Sequence, residues 1–143
     1  MAAFTHNRAV FAAFLVAVLV TVPACSGGES GPDRDGEVAL RPVTPSVHAE
    51  GAARLVGRGP GARLELRVKG LPPLDGAYVV WLYNAASDAV GVARVARGSF
   101  ELRARLPLDP ARYRFIDISR EPLDGNRNHS GASVLRVRTS RLR

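Results

Sequence analysis

The side chains able to do acid–base or ligand chemistry are few. His6 lies in the first apolar stretch, His48 at the start of the first expected strand, and His129 in a polar loop. None has another histidine or a cysteine at metal-ligand spacing. Ser130 adjoins His129, but neighbours in sequence cannot aim at one another as nucleophile and base. Asp117 is the one acid set in an apolar strand, Phe115-Ile116-Asp117-Ile118. Alternation puts it on the face of Phe115, opposite the two isoleucines. A buried acid there needs a partner, and an arginine at an edge or rim is the expected one. No second acid is marked across a cleft for general acid work. The stretch from Glu121 to Gly131 is long and polar, and Asp124, Asn126, Asn128 and His129 form a possible binding loop. Its Asp-x-Asn-x-Asn spacing is that of the start of a calcium loop, but the bidentate acid further on is missing. Asn128-His129-Ser130 has the form of a glycosylation acceptor. Gly57-Arg58-Gly59-Pro60-Gly61 is glycine-rich, but no helix follows to cradle a phosphate. No catalytic residue, metal or cofactor is therefore expected.

Cys25 is a different case. It is the single cysteine of the 143-residue chain, so no internal disulfide can form. Residues 1–8 carry Arg8 and no acid. An apolar run over residues 9–20 leads into Thr21-Val22-Pro23-Ala24 and then Cys25. A basic start, an apolar stretch of roughly 7–15 residues and a small residue before the cut make a secretory signal. A spanning helix needs about 20 apolar residues; this run is shorter, and Pro23 stops it. The surroundings of Cys25 resemble a bacterial lipobox, with Val22 in the place usually held by Leu and Ala24 as the small residue. The resemblance implies a diacylglycerol thioether on Cys25, cleavage in front of it, and a place on the extracytoplasmic face of the cell membrane.

The formal net charge is +7, and Lys69 is the only lysine among 20 basic residues. Arginines at 63, 67, 94, 103, 105, 112, 114, 136 and 138 alternate with apolar residues, which is the pattern of a solvated sheet face. Nucleic acid is not an expected partner. A basic surface can still rest on anionic lipid headgroups, at roughly 1 kcal/mol per cation near the surface; the expected membrane contact is through the lipid on Cys25.

The elements that must position these residues are strands. Residues 1–24 read as the signal, 25–45 as a flexible Gly/Pro-rich linker, and 46–143 as one β-domain. Leu64, Leu66 and Val68 face inward on one strand. Gly70-Leu71-Pro72-Pro73-Leu74-Asp75-Gly76 is a turn. The segment 78–83 is apolar on both faces, hence central, with Trp81 as a core anchor. Arg97-Gly98-Ser99 reads as a hairpin turn between two further strands, and strands near 112–119 and 133–138 complete the set. No segment of the domain holds a helical apolar period. About seven strands at this spacing give an all-β, two-layer antiparallel sandwich.

Leu66-Arg67-Val68-Lys69-Gly70-Leu71-Pro72-Pro73-Leu74, then Tyr78-Val79-Val80-Trp81-Leu82-Tyr83, and later Ser119-Arg120-Glu121-Pro122, resemble the extracytoplasmic C-terminal domain of anti-sigma-K factors. The resemblance covers roughly residues 53–137 and implies that fold on the outer side of a membrane. The family's cytoplasmic sigma-binding module, with its His and Cys-x-x-Cys, has no counterpart in this sequence, so sigma-factor binding by that route is not implied. The leading expectation is a non-catalytic, lipid-tethered binding or sensing module in a regulatory setting, with an envelope protein as partner. The alternative is an anti-sigma-type regulator held by an uncleaved N-terminal helix and acting through a partner. A surface hydrolase is the third reading, and it requires histidine, serine and acid residues clustered in space.

Overall fold

A computed structural model describes residues 35–142, and the architecture is all-β. Nine strands run β1 (Val38–Ala39), β2 (Arg41–Pro42), β3 (Glu50–Val56), β4 (Arg63–Lys69), β5 (Ala77–Ala85), β6 (Asp88–Val95), β7 (Phe100–Arg105), β8 (Phe115–Glu121) and β9 (Ala132–Arg138). One sheet has the order β1-β3-β4-β7, the other β2-β9-β8-β5-β6, and every pairing is antiparallel. Two short 3-10 turns, Pro110–Arg112 and Thr139–Arg141, are the only helical pieces among the described residues. Seven strands are long and two are two-residue strips, so the expected sandwich is present.

Period-two patterning explains the layers. Leu64, Leu66 and Val68 on β4 are buried against Tyr78, Val80 and Leu82 of β5 and Ile116 and Ile118 of β8 in one hydrophobic core. The charged alternates Arg63, Glu65 and Arg67 face outward, where Glu65 bonds Arg54 and Arg63. On β7, Phe100, Leu102 and Ala104 turn inward and Glu101, Arg103 and Arg105 are exposed. β5 lies between β8 and β6 as a central strand, and its residues 77–82 are all buried.

Three expectations need correction. The linker assigned to residues 25–45 ends earlier than its composition suggests. Val38–Ala39 pairs with β3, Arg41–Pro42 pairs with β9, and Leu40 between them is buried. The Leu40 amide donates to the Gly51 carbonyl at 2.8 Å, and Glu37 forms an ion pair with Arg67. A few apolar residues among glycines and prolines are enough to be captured by two open sheet edges. Residues 25–34, Cys25 among them, lie outside the described residues, as does the expected signal.

Second, Arg97-Gly98-Ser99 is not a hairpin turn. It carries the chain from β6 in one sheet to β7 in the other. The turn signal marks a reversal but does not choose the partner, and β7 pairs with β4 in the register Phe100↔Val68. Gly98 is needed because its carbonyl accepts from the Leu71 amide at 2.9 Å. A Cβ built there would lie 1.9 Å from the Leu71 oxygen.

Third, Trp81 is buried but does not belong to the core between the sheets. Alternation sends Tyr78, Val80 and Leu82 inward, so Trp81 and Tyr83 occupy the opposite, outer face of the five-stranded sheet. Trp81 stands across from Asp117 on β8, and its ring rests over Gly91 of β6, whose Cβ would meet it at 3.5 Å.

Leu40→Ala tests the revised boundary. Removing this buried side chain is expected to cost about 2–5 kcal/mol in urea unfolding; a loss under about 0.5 kcal/mol, the level of an ordinary surface site, would return the segment to the linker.

Candidate functional site

The outer face of the five-stranded sheet carries the chemistry, and β8 supplies its centre. Ile116 and Ile118 point into the core, which leaves Phe115, Asp117, Ser119 and Glu121 in a row on the outer face. Asp117, Ser119 and Glu121 are 0%, 0% and 2% exposed, although no second sheet covers that side. The cover comes from the β8–β9 connection, residues 122–131, which folds back and lays His129 on the row.

Asp117 is surrounded by donors. Arg136 Nε–H donates to Oδ1 at 2.6 Å; the Ser133 hydroxyl and His129 Nε2–H donate to Oδ2 at 2.8 and 3.1 Å. The arginine partner expected for this acid is Arg136, directly opposite on β9. The site is central in the sheet, however, and not at its rim. Arg136 thereby leaves the set of arginines assigned to a solvated face.

A β-bulge makes this geometry possible. β8 and β9 keep register through Asp117↔Arg136 and Ile118↔Leu135, then shift to Ser119↔Ser133. Val134 is the extra residue and enters the core. Ser133 and Arg136, three apart, therefore share the outer face, and Arg136 Nη2–H donates to Ser133 Oγ at 3.0 Å. Strict alternation would have placed them on opposite faces.

Glu121 anchors the far end of the row. It accepts from the Ser130 amide at 3.0 Å, the Ser130 hydroxyl at 2.9 Å and the Gly131 amide at 2.7 Å. The Ser119 hydroxyl also donates to it, while accepting from Trp81 Nε1–H at 2.8 Å. Burial pushes the Glu121 carboxyl up, but these four donors outweigh it and hold the group below its ordinary value of 4.5. Gly131 permits the approach, since a Cβ there would fall 1.5 Å from the Arg120 oxygen.

His129 sits between the two acids. Its Nε2 is 3.1 Å from Asp117 and its Nδ1 is 3.9 Å from Glu121 Oε1. The ring packs against Tyr83 and Trp81, with centroids 4.9 and 5.3 Å away. Arg136 in turn lies over both Tyr83 and Phe115, at 4.7 Å from each ring centre.

The expected binding loop divides in two. His129 turns inward, whereas Asp124, Asn126 and Asn128 stay exposed at the crest. Asp124 Oδ1 accepts from the Asn126 amide at 2.9 Å and Asn126 Oδ1 from the Asn128 amide at 3.0 Å. These oxygens shape the loop's own backbone. No group of metal-ligating side chains suited to an ion occurs among the described residues.

The histidine, acid and serine cluster that a hydrolase requires is thus present in space. Its wiring differs from that of a nucleophile and base. Ser119 and Ser130 donate to Glu121 and Ser133 donates to Asp117. No serine hydroxyl among the described residues is hydrogen-bonded to the imidazole. Nε2 is bonded to Asp117, which fastens the loop, while Nδ1 lies 3.9 Å from Glu121 Oε1, beyond hydrogen-bond distance, with no serine hydroxyl bonded to it.

Sequence reasoning found Asp117 and its need for an arginine but missed Ser119, Glu121, Ser133 and Tyr83 as its companions. Alternation from Asp117 through Ser119 to Glu121 could have shown three polar residues on one face. The comparisons add no relative: no family model, no curated protein and no solved structure matches this chain.

The lowered Glu121 value fixes a sign. A carboxylate depressed in the folded state contributes fully above its unfolded value, and the contribution is lost as pH falls through the folded one. Below about pH 4.5, the wild-type chain should lose stability more steeply than Glu121→Gln in urea titrations across pH. Equal slopes would show that Glu121 is not held ionised by its donors.

Proposed function

We propose that the chain is a non-catalytic binding or sensing module, held on the outer face of a membrane by a lipid on Cys25. The observation that carries the non-catalytic part is that the Ser119, Ser130 and Ser133 hydroxyls each donate to Glu121 or Asp117 and none is bonded to His129. The constellation of catalytic type found among the described residues fastens the 122–131 loop to the sheet. Recognition is then left to the surface, with an envelope protein as the partner class.

The resemblance to the anti-sigma-K extracytoplasmic domain supports a regulatory setting. Two of the motif segments that carry it are in contact: the Tyr78 hydroxyl donates to the Pro72 carbonyl at 2.6 Å and pins the Leu-Pro-Pro turn to β5. Export rests on the apolar run of residues 9–20, and tethering on Cys25 behind it. No helix among the described residues is long and apolar enough to cross a membrane.

The anchoring reading is tested by metabolic labelling with a fatty acid and mass spectrometry of the mature chain. The wild type should carry lipid on an N-terminal Cys25, and Cys25→Ala should lose label and leave the membrane fraction. Unchanged labelling and fractionation of Cys25→Ala would overturn it, and an intact Met1 would favour the uncleaved helix.

A second reading, a hydrolase, is favoured by the closeness of Asp117, His129 and three serines. A serine-directed fluorophosphonate is expected to leave the folded chain unlabelled. Labelling at Ser119, Ser130 or Ser133 that disappears in His129→Ala would make the cluster catalytic.

A further inference from the structure

A cleft of about 440 Å³ opens at the end of the outer face where β2 meets β9. That is within the size range of small-ligand sites. Arg41, Arg136, Arg138 and Arg141 line it, with Phe115 and Pro42 as apolar wall. One carboxylate, Asp117, engages one of these guanidiniums, Arg136. Arg41, Arg138 and Arg141 have no acidic partner among the described residues.

The register concentrates the charge. Arg41 stands directly across from Arg136, and Arg138 directly across from Phe115. Like charges opposed on neighbouring strands repel, and here Arg138 adds a third at the next outward position. Arg114, Arg136 and Arg138 all approach the Phe115 ring, at 5.5, 4.7 and 5.3 Å.

Arg136 gives the cleft a rigid floor. Its Nε–H and one Nη2–H are held by Asp117 and Ser133, and its plane is gripped between Tyr83 and Phe115. Of the five N–H donors of a guanidinium, three are left without a protein partner among the described residues. A fixed fork with spare donors, ringed by uncompensated guanidiniums, is the arrangement that phosphate oxygens satisfy bidentately.

We propose that this cleft binds a phosphate group, borne either by a membrane phospholipid or by a soluble phosphoester, with Arg136 as the positioned donor and Arg41, Arg138 and Arg141 closing around it. The site stands on residues of the sandwich and holds whether or not Cys25 is acylated.

The test uses the full chain in two arms. One is calorimetric titration with sn-glycerol 3-phosphate. The other compares flotation with phosphatidylglycerol-containing vesicles and with pure phosphatidylcholine vesicles, so that any contribution of the N-terminal segment is common to both. Binding of the soluble ester, or a preference for the anionic vesicles, is expected. Arg41→Gln/Arg138→Gln/Arg141→Gln should reduce it roughly tenfold or more, the scale of losing charge-assisted bonds. Arg58→Gln/Arg94→Gln/Arg103→Gln removes the same charge from exposed positions elsewhere and should keep most of it. Binding in both arms, or in the soluble arm alone, assigns a phosphoester pocket; a preference in the vesicle arm alone assigns a headgroup. No binding in either arm, or equal loss in the two triple variants, would overturn the proposal.

Discussion

The outer face of this sandwich depends on one buried charge. Asp117 is fully enclosed on a central strand, where an unpaired carboxylate would cost several kcal/mol of desolvation. It is tolerable because three donors converge on it: a guanidinium, a hydroxyl and an imidazole. Each donor comes with its own structural requirement. Arg136 has to lie opposite, Ser133 has to be brought round by the bulge at Val134, and His129 has to be carried in by the loop. The carboxylate therefore ties together β8, β9 and the 122–131 connection through a set of bonds that no single element could make.

Glu121 plays the same part at the other end of the row, on backbone as well as side-chain donors. Between them the two acids do for the outer face what hydrophobic burial does for the inner one. A five-stranded sheet covered on one side by a partner sheet and on the other by a polar loop needs something other than apolar contact to fasten that loop. Aromatic rings supply the remainder: Tyr83 and Trp81 pack tilted against the His129 ring, and Tyr83 and Phe115 lie against the Arg136 guanidinium. The burial of Trp81 makes sense here and not in the inter-sheet core.

Much of this was legible in the residues. Alternation at Leu64, Leu66 and Val68 gave a strand and its inner face, and the run over 78–83 gave a strand covered on both sides. The isolated acid at 117 announced its need for an arginine. What could not be read were facts of partner choice. Nothing local tells Arg97-Gly98-Ser99 to cross between sheets, because a turn reverses the chain whichever edge receives it. The bulge at Val134 escaped because a one-residue shift changes no composition and only a partner strand reveals it. His129 looked like a loop residue by its neighbours; its ring is drawn inward by acids eight and twelve residues away. Leu40 was hidden for the same reason, since a lone leucine among prolines and arginines carries no periodicity.

The short strips β1 and β2 carry a mechanical consequence. Within five residues the chain bonds first to one sheet and then to the other, with Leu40 plugged between them. A pull arriving from the N-terminal side meets the Glu37–Arg67 pair and the β1–β3 bonds before it reaches any long strand. The load is divided between two sheets at the point where it enters the domain. Peeling this strip would break the β1–β3 bonds and then draw Leu40 out of the core, and the Arg41 side of the cleft would be the first part of the outer face to feel the tension.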